Sequence, residues 1–179
     1  LRVGGPDDAR TRLVRAGAEP RTPRQFEDNR LYDDAGGTFI ARRVVLRLRS
    51  VGGRSVLTYK RPVAPEDDDR RYKVRVELET TVGDADVLDR LLRELGYRPA
   101  WRYQKYRQSF ALGGAEVEID ETPIGTFVEL EGPREAIDRA ALALGFSDTE
   151  YITKSYRELH EEHAGSGDPG DLVFPAGRP

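Results

Sequence analysis

The chain has 179 residues with 29 Lys and Arg, 32 Asp and Glu and a formal net charge of −3, so its many charges nearly cancel. This balance excludes a generic basic arm for nucleic acid, and no apolar run reaches the roughly 20 residues that a membrane-spanning helix needs. Cysteine is absent and the histidines are His160 and His163, which excludes disulfides, thiolate chemistry and most imidazole chemistry.

The first half of the chain predicts one helix and three strands. Pro6 begins the helix, and Gly17 ends it. The strands are expected at residues 24–33, 43–50 and 54–61. A polar, solvated loop is expected at residues 65–71.

The second half repeats this pattern, because Val3-Gly4, a helix and Gly17 recur as Val82-Gly83, a helix and Gly96. The elements expected after the loop are a strand at residues 72–80, a helix ending at Gly96, strands at residues 99–112, 115–121 and 126–132, and helices at residues 134–144 and 150–161. By the repeat, a strand should precede the first helix, and residues 1–3 correspond to its end.

The predicted strands place charge on one face and apolar side chains on the other. In the strand at residues 72–80, for example, Val76 and Leu78 alternate with Arg75 and Glu77. An antiparallel sheet can keep such a face in water, where Glu and Arg form cross-strand pairs. If the sheet closes into a barrel, the charged face becomes its lining, and unpaired ions there are costly. Grouped carboxylates suit hard divalent cations and grouped Arg and Lys suit phosphates, so the pattern favours a site for metal and polyphosphate.

Eight segments together resemble the CYTH superfamily of triphosphate tunnel metalloenzymes, which includes class IV adenylate cyclases and thiamine triphosphatases. They are residues 28–33 (DNRLYD), 46–49 (LRLR), 57–62 (LTYKRP), 74–77 (VRVE), 105–107 (KYR), 119–120 (ID), 125–131 (GTFVELE) and 155–156 (SY). The family's ExExK signature lies on its first strand and is absent here, although residues 1–3 resemble those that follow its lysine. We expect a chain without that strand to be inactive or impaired.

The resemblance implies an α+β fold, a closed antiparallel barrel of eight strands around a triphosphate tunnel, with helices packed outside. We expect one CYTH domain over residues 1–163, a flexible tail over residues 164–179, and a cytoplasmic protein that is a monomer or homodimer. Neither nucleic acid nor a membrane is expected as a partner.

The resemblance also implies roles for individual residues. The residues implied to bind triphosphate are Arg47, Arg49, Lys60, Arg75, Lys105 and Arg107, with Lys60 and Arg107 also acting in catalysis. The residues implied to coordinate two ions of Mg²⁺ or Mn²⁺ are Asp120, Glu129 and Glu131, with Glu77 as a weaker candidate. Lys154 would cover the tunnel mouth, or is an ordinary surface lysine.

Some residues keep two interpretations. Trp101 and Tyr103 could stack on a base, although aromatic side chains in strands more often serve packing. Glu116 and Glu118 could line the tunnel or pair with Arg across strands.

The implied function is a metal-dependent enzyme whose substrate is a nucleoside triphosphate, thiamine triphosphate or inorganic polyphosphate. A cyclase would convert ATP to cyclic AMP and pyrophosphate, whereas a triphosphatase would hydrolyse the terminal phosphate. The motifs are closer to the class IV cyclase branch. Two other hypotheses are a module that binds polyphosphate or nucleotide without turnover and a structural barrel whose charges pair internally.

Overall fold

The structure, a computed structural model, describes residues 1–64 and 71–176. Most of the polar loop that the sequence predicts at residues 65–71, and the last three residues of the predicted tail, lie outside this part of the chain. The strands are β1 (Arg2–Val3), β2 (Glu19–Asp33), β3 (Val45–Val51), β4 (Arg54–Pro62), β5 (Arg75–Val82), β6 (Arg98–Leu112), β7 (Ala115–Thr122) and β8 (Gly125–Glu131). The helices are α1 (Pro6–Arg15), α2 (Thr38–Ala41), α3 (Ala85–Glu94), α4 (Arg134–Ala143) and α5 (Tyr156–Ala164), with a short 3-10 helix at Asp148–Glu150.

The eight strands belong to one sheet in the order β1-β8-β7-β6-β2-β3-β4-β5. The registered pairs, such as β3 with β4 and β7 with β8, are antiparallel. The α+β class is therefore confirmed. The hydrogen-bonded ladders of the described residues leave this order open at β1 and β5, so closure into a barrel remains a prediction.

The chain divides into two compact units, and the long strands β2 and β6 each contribute to both. The first unit comprises Leu1–Phe26 and Lys105–Pro179, and the second comprises Glu27–Gln104. None of the helices in the described part of the chain is long and apolar enough to cross a membrane.

The core of the first unit lies between helices and the apolar face of β7 and β8. Leu13 of α1 packs there with Val117 and Ile119 of β7 and Val128 of β8. Helix α1 has a proline at its first position, acidic residues in its first turn and basic residues in its last, which suits the helix dipole.

The core of the second unit is a cluster of Tyr32, Leu48 and Leu92, which joins β2, β3 and α3. The Asp84 side chain begins α3 by accepting hydrogen bonds from backbone N–H groups in its first turn. The Tyr32 hydroxyl donates to Asp89 of α3 at 2.5 Å. One hydrogen bond therefore satisfies the polar end of an otherwise buried ring.

Several elements differ from the sequence predictions, among them β5, β2 and the last helix. Strand β5 begins at Arg75 rather than at residue 72, and Leu78 on its apolar side is 64% exposed. Strand β2 begins at Glu19 rather than at residue 24. The last helix begins at Tyr156 rather than at residue 150, because Ser155 and Glu158 form a capping box there.

The described part of the tail packs against the first unit. Leu172 is 1% exposed, and the ring of Phe174 lies 5.3 Å from that of Tyr106. The carbonyl oxygen of Pro169 lies 3.3 Å from His160 Nε2 in α5. The flexibility that the Gly- and Pro-rich composition predicts for residues 164–179 stays a prediction.

We predict that Leu172→Ala lowers the free energy of unfolding by about 2–5 kcal/mol, because it removes a buried side chain. Leu142→Ala is the matched control, since Leu142 is 75% exposed and its truncation should change stability by less than about 0.5 kcal/mol. Urea denaturation of both variants measures the difference. Equal stability of the two variants would show that the tail is not docked in solution.

Candidate functional site

Three neighbouring strands of the first unit place charged side chains on one face. Arg107 of β6 lies opposite Asp120 of β7 in the register. Glu118 of β7 in turn lies opposite Glu129 of β8. Because side chains alternate along a strand, Lys105 shares the face of Arg107. Strand pairing thus collects residues that are far apart in the sequence.

Asp120 is the centre of this group and has no exposed surface. Its carboxylate accepts hydrogen bonds from Lys105 Nζ at 2.8 Å, from Arg107 Nε at 2.7 Å and from the Tyr156 hydroxyl at 2.7 Å. Burial alone would raise the pKa of Asp120, but Arg107 and Lys105 outweigh burial and hold it well below its usual range. Asp120 is therefore an ionised anchor for two cations.

Arg107 contacts two further carboxylates. Its Nη1 lies 2.5 Å from Glu118 Oε2, and its Nη2 lies 2.5 Å from Glu129 Oε2. The guanidinium therefore joins three acidic side chains from two strands. Arginine suits this position because its planar fork carries several donors in fixed directions.

Glu118, Glu129 and Glu131 form a carboxylate cluster, in which one oxygen from each residue lies within 4.8 Å of the others. Glu118 is buried, Glu129 is half-buried and Glu131 is exposed. Carboxylate oxygens of this kind fit a hard divalent cation such as Mg²⁺ or Mn²⁺. Within the described residues, this cluster is the arrangement that offers metal ligands.

The composition of the carboxylate cluster differs from the predicted ligand set. Glu129 and Glu131 belong to both, but Asp120 is held by cations and Glu77 lies in the second unit. Glu118 joins the cluster, although the sequence left it as either a lining residue or a cross-strand partner. The feature that identifies Glu118 as a member of the cluster is its position opposite Glu129 in the pairing of β7 with β8.

Burial raises the pKa of Glu118 to about 8. Arg107 opposes this shift, while the negative charges of Glu129 and Asp120 add to it. The pKa of Glu129 is instead lowered, since Arg107 and Lys105 outweigh its burial and the repulsion from Asp120. Glu118 therefore favours its protonated form near neutral pH when no metal ion is bound. The carboxylate cluster then carries less negative charge than three ionised carboxylates would.

The second unit holds Arg47 in a buried network of its own. Arg47 donates to the Tyr103 hydroxyl at 3.1 Å, to the Thr58 hydroxyl at 3.1 Å and to Glu79 at 3.4 Å. The rings of Tyr103 and Trp101 are buried and stack with centroids 5.2 Å apart. These contacts agree with the packing interpretation of the two aromatic residues.

The other predicted cations of the second unit are also engaged. Arg49 donates to Asn29 at 3.2 Å and lies 3.4 Å from Glu27, and both partners are buried. Lys60 lies 2.8 Å from Glu77. Arg75 donates to a backbone carbonyl oxygen at 3.0 Å.

Lys154 lies apart from the buried charges of the first unit. Its side chain is about half exposed and forms an ion pair with Glu162 of α5 at 2.5 Å. This geometry is that of a surface lysine, and a role over bound phosphate stays a prediction.

We predict that Glu118 makes stability depend on pH. The native state keeps its proton up to about pH 8, whereas the unfolded chain releases it near pH 4.5, so unfolding becomes easier as pH rises between these values. The variant Glu118→Gln is permanently neutral and should lack this fall. Urea denaturation from pH 5 to 8.5 with a chelator measures both proteins, and parallel curves would contradict the assignment.

Comparisons with known proteins bear on this site. The CYTH domain model matches residues 3–162. No curated protein matches the chain. A candidate adenylate cyclase from Vibrio parahaemolyticus has a TM-score of 0.74 at 21% identity, covering 88% of this chain and 92% of that one.

Two further solved structures share the fold. The PH1012 protein from Pyrococcus horikoshii has a TM-score of 0.74 at 22% identity, covering 89% of this chain and 95% of that one. The candidate adenylyl cyclase HpAC1 from Hippeastrum, described as having a dominant triphosphatase activity, has a TM-score of 0.59 at 15% identity. That match covers 90% of this chain and 93% of the other. Since the family model spans most of its length, the chain belongs to the CYTH domain family, as its motifs indicate.

Proposed function

We propose that the protein is a metal-dependent enzyme that acts on a triphosphate. The observation that carries this proposal is the contact between Arg107, a cation suited to phosphate, and Glu118 and Glu129, two carboxylates suited to a divalent metal ion. Phosphoryl and nucleotidyl transfer both need such a pairing, because the substrate brings negative charge and the transition state redistributes it. Membership of the CYTH family supports the same chemistry.

In this proposal the residues of the first unit have separate tasks. Glu118, Glu129 and Glu131 would hold Mg²⁺ or Mn²⁺, which neutralises charge on phosphate oxygens when bound. Arg107 and Lys105 would bind the phosphate oxygens. Their attachment to Asp120 fixes both cations before the substrate arrives, and preorganised charge avoids reorganisation during the reaction.

The proposal extends to cations outside this group, which the family resemblance implies. Those of the second unit are Arg47, Arg49, Lys60 and Arg75, and Lys154 belongs to the first. Arg49 carries the clearest geometric support, since buried Asn29 and Glu27 orient its guanidinium. Lys60 and Arg107 are proposed to act on the reacting phosphate.

The first reaction we propose is the cyclisation of ATP. The ribose 3′-hydroxyl loses its proton to water as its oxygen attacks the α-phosphorus, the bond from that phosphorus to the bridging oxygen breaks, and pyrophosphate leaves. The order of the motifs supports this reaction, and so does the likeness to the candidate cyclase from Vibrio parahaemolyticus.

Hydrolysis of the terminal phosphate is the second candidate. Water then attacks the γ-phosphorus, the bond from that phosphorus to the bridging oxygen breaks, and orthophosphate forms while the diphosphate leaves, with the same demands on cations and metal. The Hippeastrum protein favours this alternative, because a candidate cyclase of the same fold is described there as chiefly a triphosphatase.

The products distinguish these reactions. We expect MgATP or MnATP to give cyclic AMP and pyrophosphate, whereas a triphosphatase would release orthophosphate from tripolyphosphate or thiamine triphosphate. Chromatography of each mixture measures the outcome for this chain and for a version in which a strand carrying the ExExK signature precedes Leu1. The extended version should be the more active.

Thermal unfolding tests the two hypotheses in which the protein does not turn over a substrate. A ligand at 100 times its dissociation constant stabilises the native state by about 2.7 kcal/mol. Stabilisation by Mg²⁺ and tripolyphosphate without product would indicate a binding module. The absence of both product and stabilisation would indicate internally paired structural charges and contradict the proposal.

We predict that Arg49→Ala weakens tripolyphosphate binding about tenfold or more, since a hydrogen bond to a charged group contributes about 1.5–3 kcal/mol. Arg90→Ala removes the same charge from an exposed position on α3 and is the matched control. Isothermal titration calorimetry with Mg²⁺ present compares the two variants. Equal affinities would exclude Arg49 from the phosphate site.

A further inference from the structure

Every nitrogen of the Arg107 guanidinium has a carboxylate partner. The Nε atom donates to Asp120 Oδ1 at 2.7 Å, and Nη2 donates to Asp120 Oδ2 at 2.5 Å. Nη2 also contacts Glu129, and Nη1 contacts Glu118. The guanidinium therefore has one fixed side on Asp120 and two outer contacts.

The outer contacts involve the same two glutamates that belong to the carboxylate cluster. A cation bound by that cluster would compete with Arg107 for their oxygens and would repel its positive charge. This conflict is strong here because the Arg107 side chain is only 12% exposed, so water screens it weakly.

An anion resolves the conflict. Phosphate oxygens can accept the hydrogen bond that Nη2 gives to Glu129, and they can replace Glu118 as the ionic partner of Nη1. The Nε atom stays on Asp120, which Lys105 and the Tyr156 hydroxyl also hold in place. Arg107 can thus change partners on one side without losing its anchor on the other.

We infer that Arg107 couples metal binding to phosphate binding, a regulation of the site that rests on the proposed function. A divalent cation takes Glu118 and Glu129 from Arg107, and phosphate takes Arg107 from the two glutamates. Each ligand therefore increases the affinity for the other by the same factor, as thermodynamic linkage requires. The ion pairs between Arg107 and the two glutamates oppose the binding of either ligand alone, so the site prefers ligands that bring both signs of charge.

The test measures Mn²⁺ binding to the chain by electron paramagnetic resonance of free Mn²⁺, with and without inorganic phosphate, which chelates Mn²⁺ weakly. In the unmodified protein, saturating phosphate should tighten Mn²⁺ binding by about 5- to 150-fold. Arg107→Met should bind Mn²⁺ alone more tightly than the unmodified protein, and phosphate should no longer change its affinity. A merely structural arginine would give the opposite result, with weaker Mn²⁺ binding in the variant.

Arg24→Met is the matched control. Arg24 belongs to the same unit, and its salt bridge goes to Glu121, outside the carboxylate cluster. This variant removes one positive charge without touching Glu118 or Glu129. Its Mn²⁺ affinity and its response to phosphate should equal those of the unmodified protein.

The reciprocal titration keeps the inference testable if Arg107→Met does not fold. Calorimetry of phosphate binding to the unmodified protein, with and without Mg²⁺, should give an increase in affinity within the same 5- to 150-fold range. Binding of both ligands without mutual effect would overturn the coupling and leave the proposed function standing. Failure to bind either ligand would overturn both.

Discussion

The buried carboxylate of Asp120 is the constraint on which the first unit depends. An ionised group without exposed surface is stable only when cations and hydrogen-bond donors surround it, and removing one partner typically costs about 3–5 kcal/mol. Lys105 and Arg107 supply the cations from β6, and Tyr156 supplies the donor from α5. This hydrogen bond links α5 to the sheet, together with the contact between the rings of Tyr156 and Phe127.

The register of β7 and β8 creates a second demand for positive charge. It places Glu118 opposite Glu129 and Glu116 opposite Glu131, and like charges directly opposite each other destabilise a sheet. Arg107 relieves the first pair, and the raised pKa of Glu118 relieves it further by favouring the neutral form. Opposed glutamates destabilise the sheet, and such a pairing is expected where the function of the site is to bind a metal ion.

Much of this arrangement could be predicted from the sequence. Alternation places Glu118 and Asp120 of β7 on the face opposite Val117 and Ile119, and this fixes which residues share a face. The turn at Gly113-Gly114, where both φ angles are positive, sets Leu112 opposite Ala115 and so fixes which residues of β6 and β7 meet. The capping box at Ser155 and Glu158 likewise carries enough information to start α5 at the right residue.

Other features depend on contacts that alternation does not encode. Alternation shows that Glu118 and Asp120 share a face, but it cannot show that Asp120 meets cations while Glu118 joins the carboxylate cluster. That distinction arises from the alignment of three strands, and a shift of β7 by one residue would turn both side chains to the other face. Leu172 lies in a Gly- and Pro-rich segment without hydrophobic periodicity, so the sequence pattern does not predict its burial.

Cations proposed to bind phosphate already hold carboxylates in both units. Arg47 contacts Glu79 and Lys60 contacts Glu77, while Arg107 contacts Glu118. The pairs of Arg47 and Arg107, which are largely buried, let the chain fold without a ligand, since an unpaired buried ion would be costly. They also mean that an anion alone must break an ion pair for each cation it binds and leave a carboxylate behind. Under the proposed function, a triphosphate that arrives with a divalent metal ion would provide a new partner for both members of such a pair. Paired charges would then select for the complex over either component.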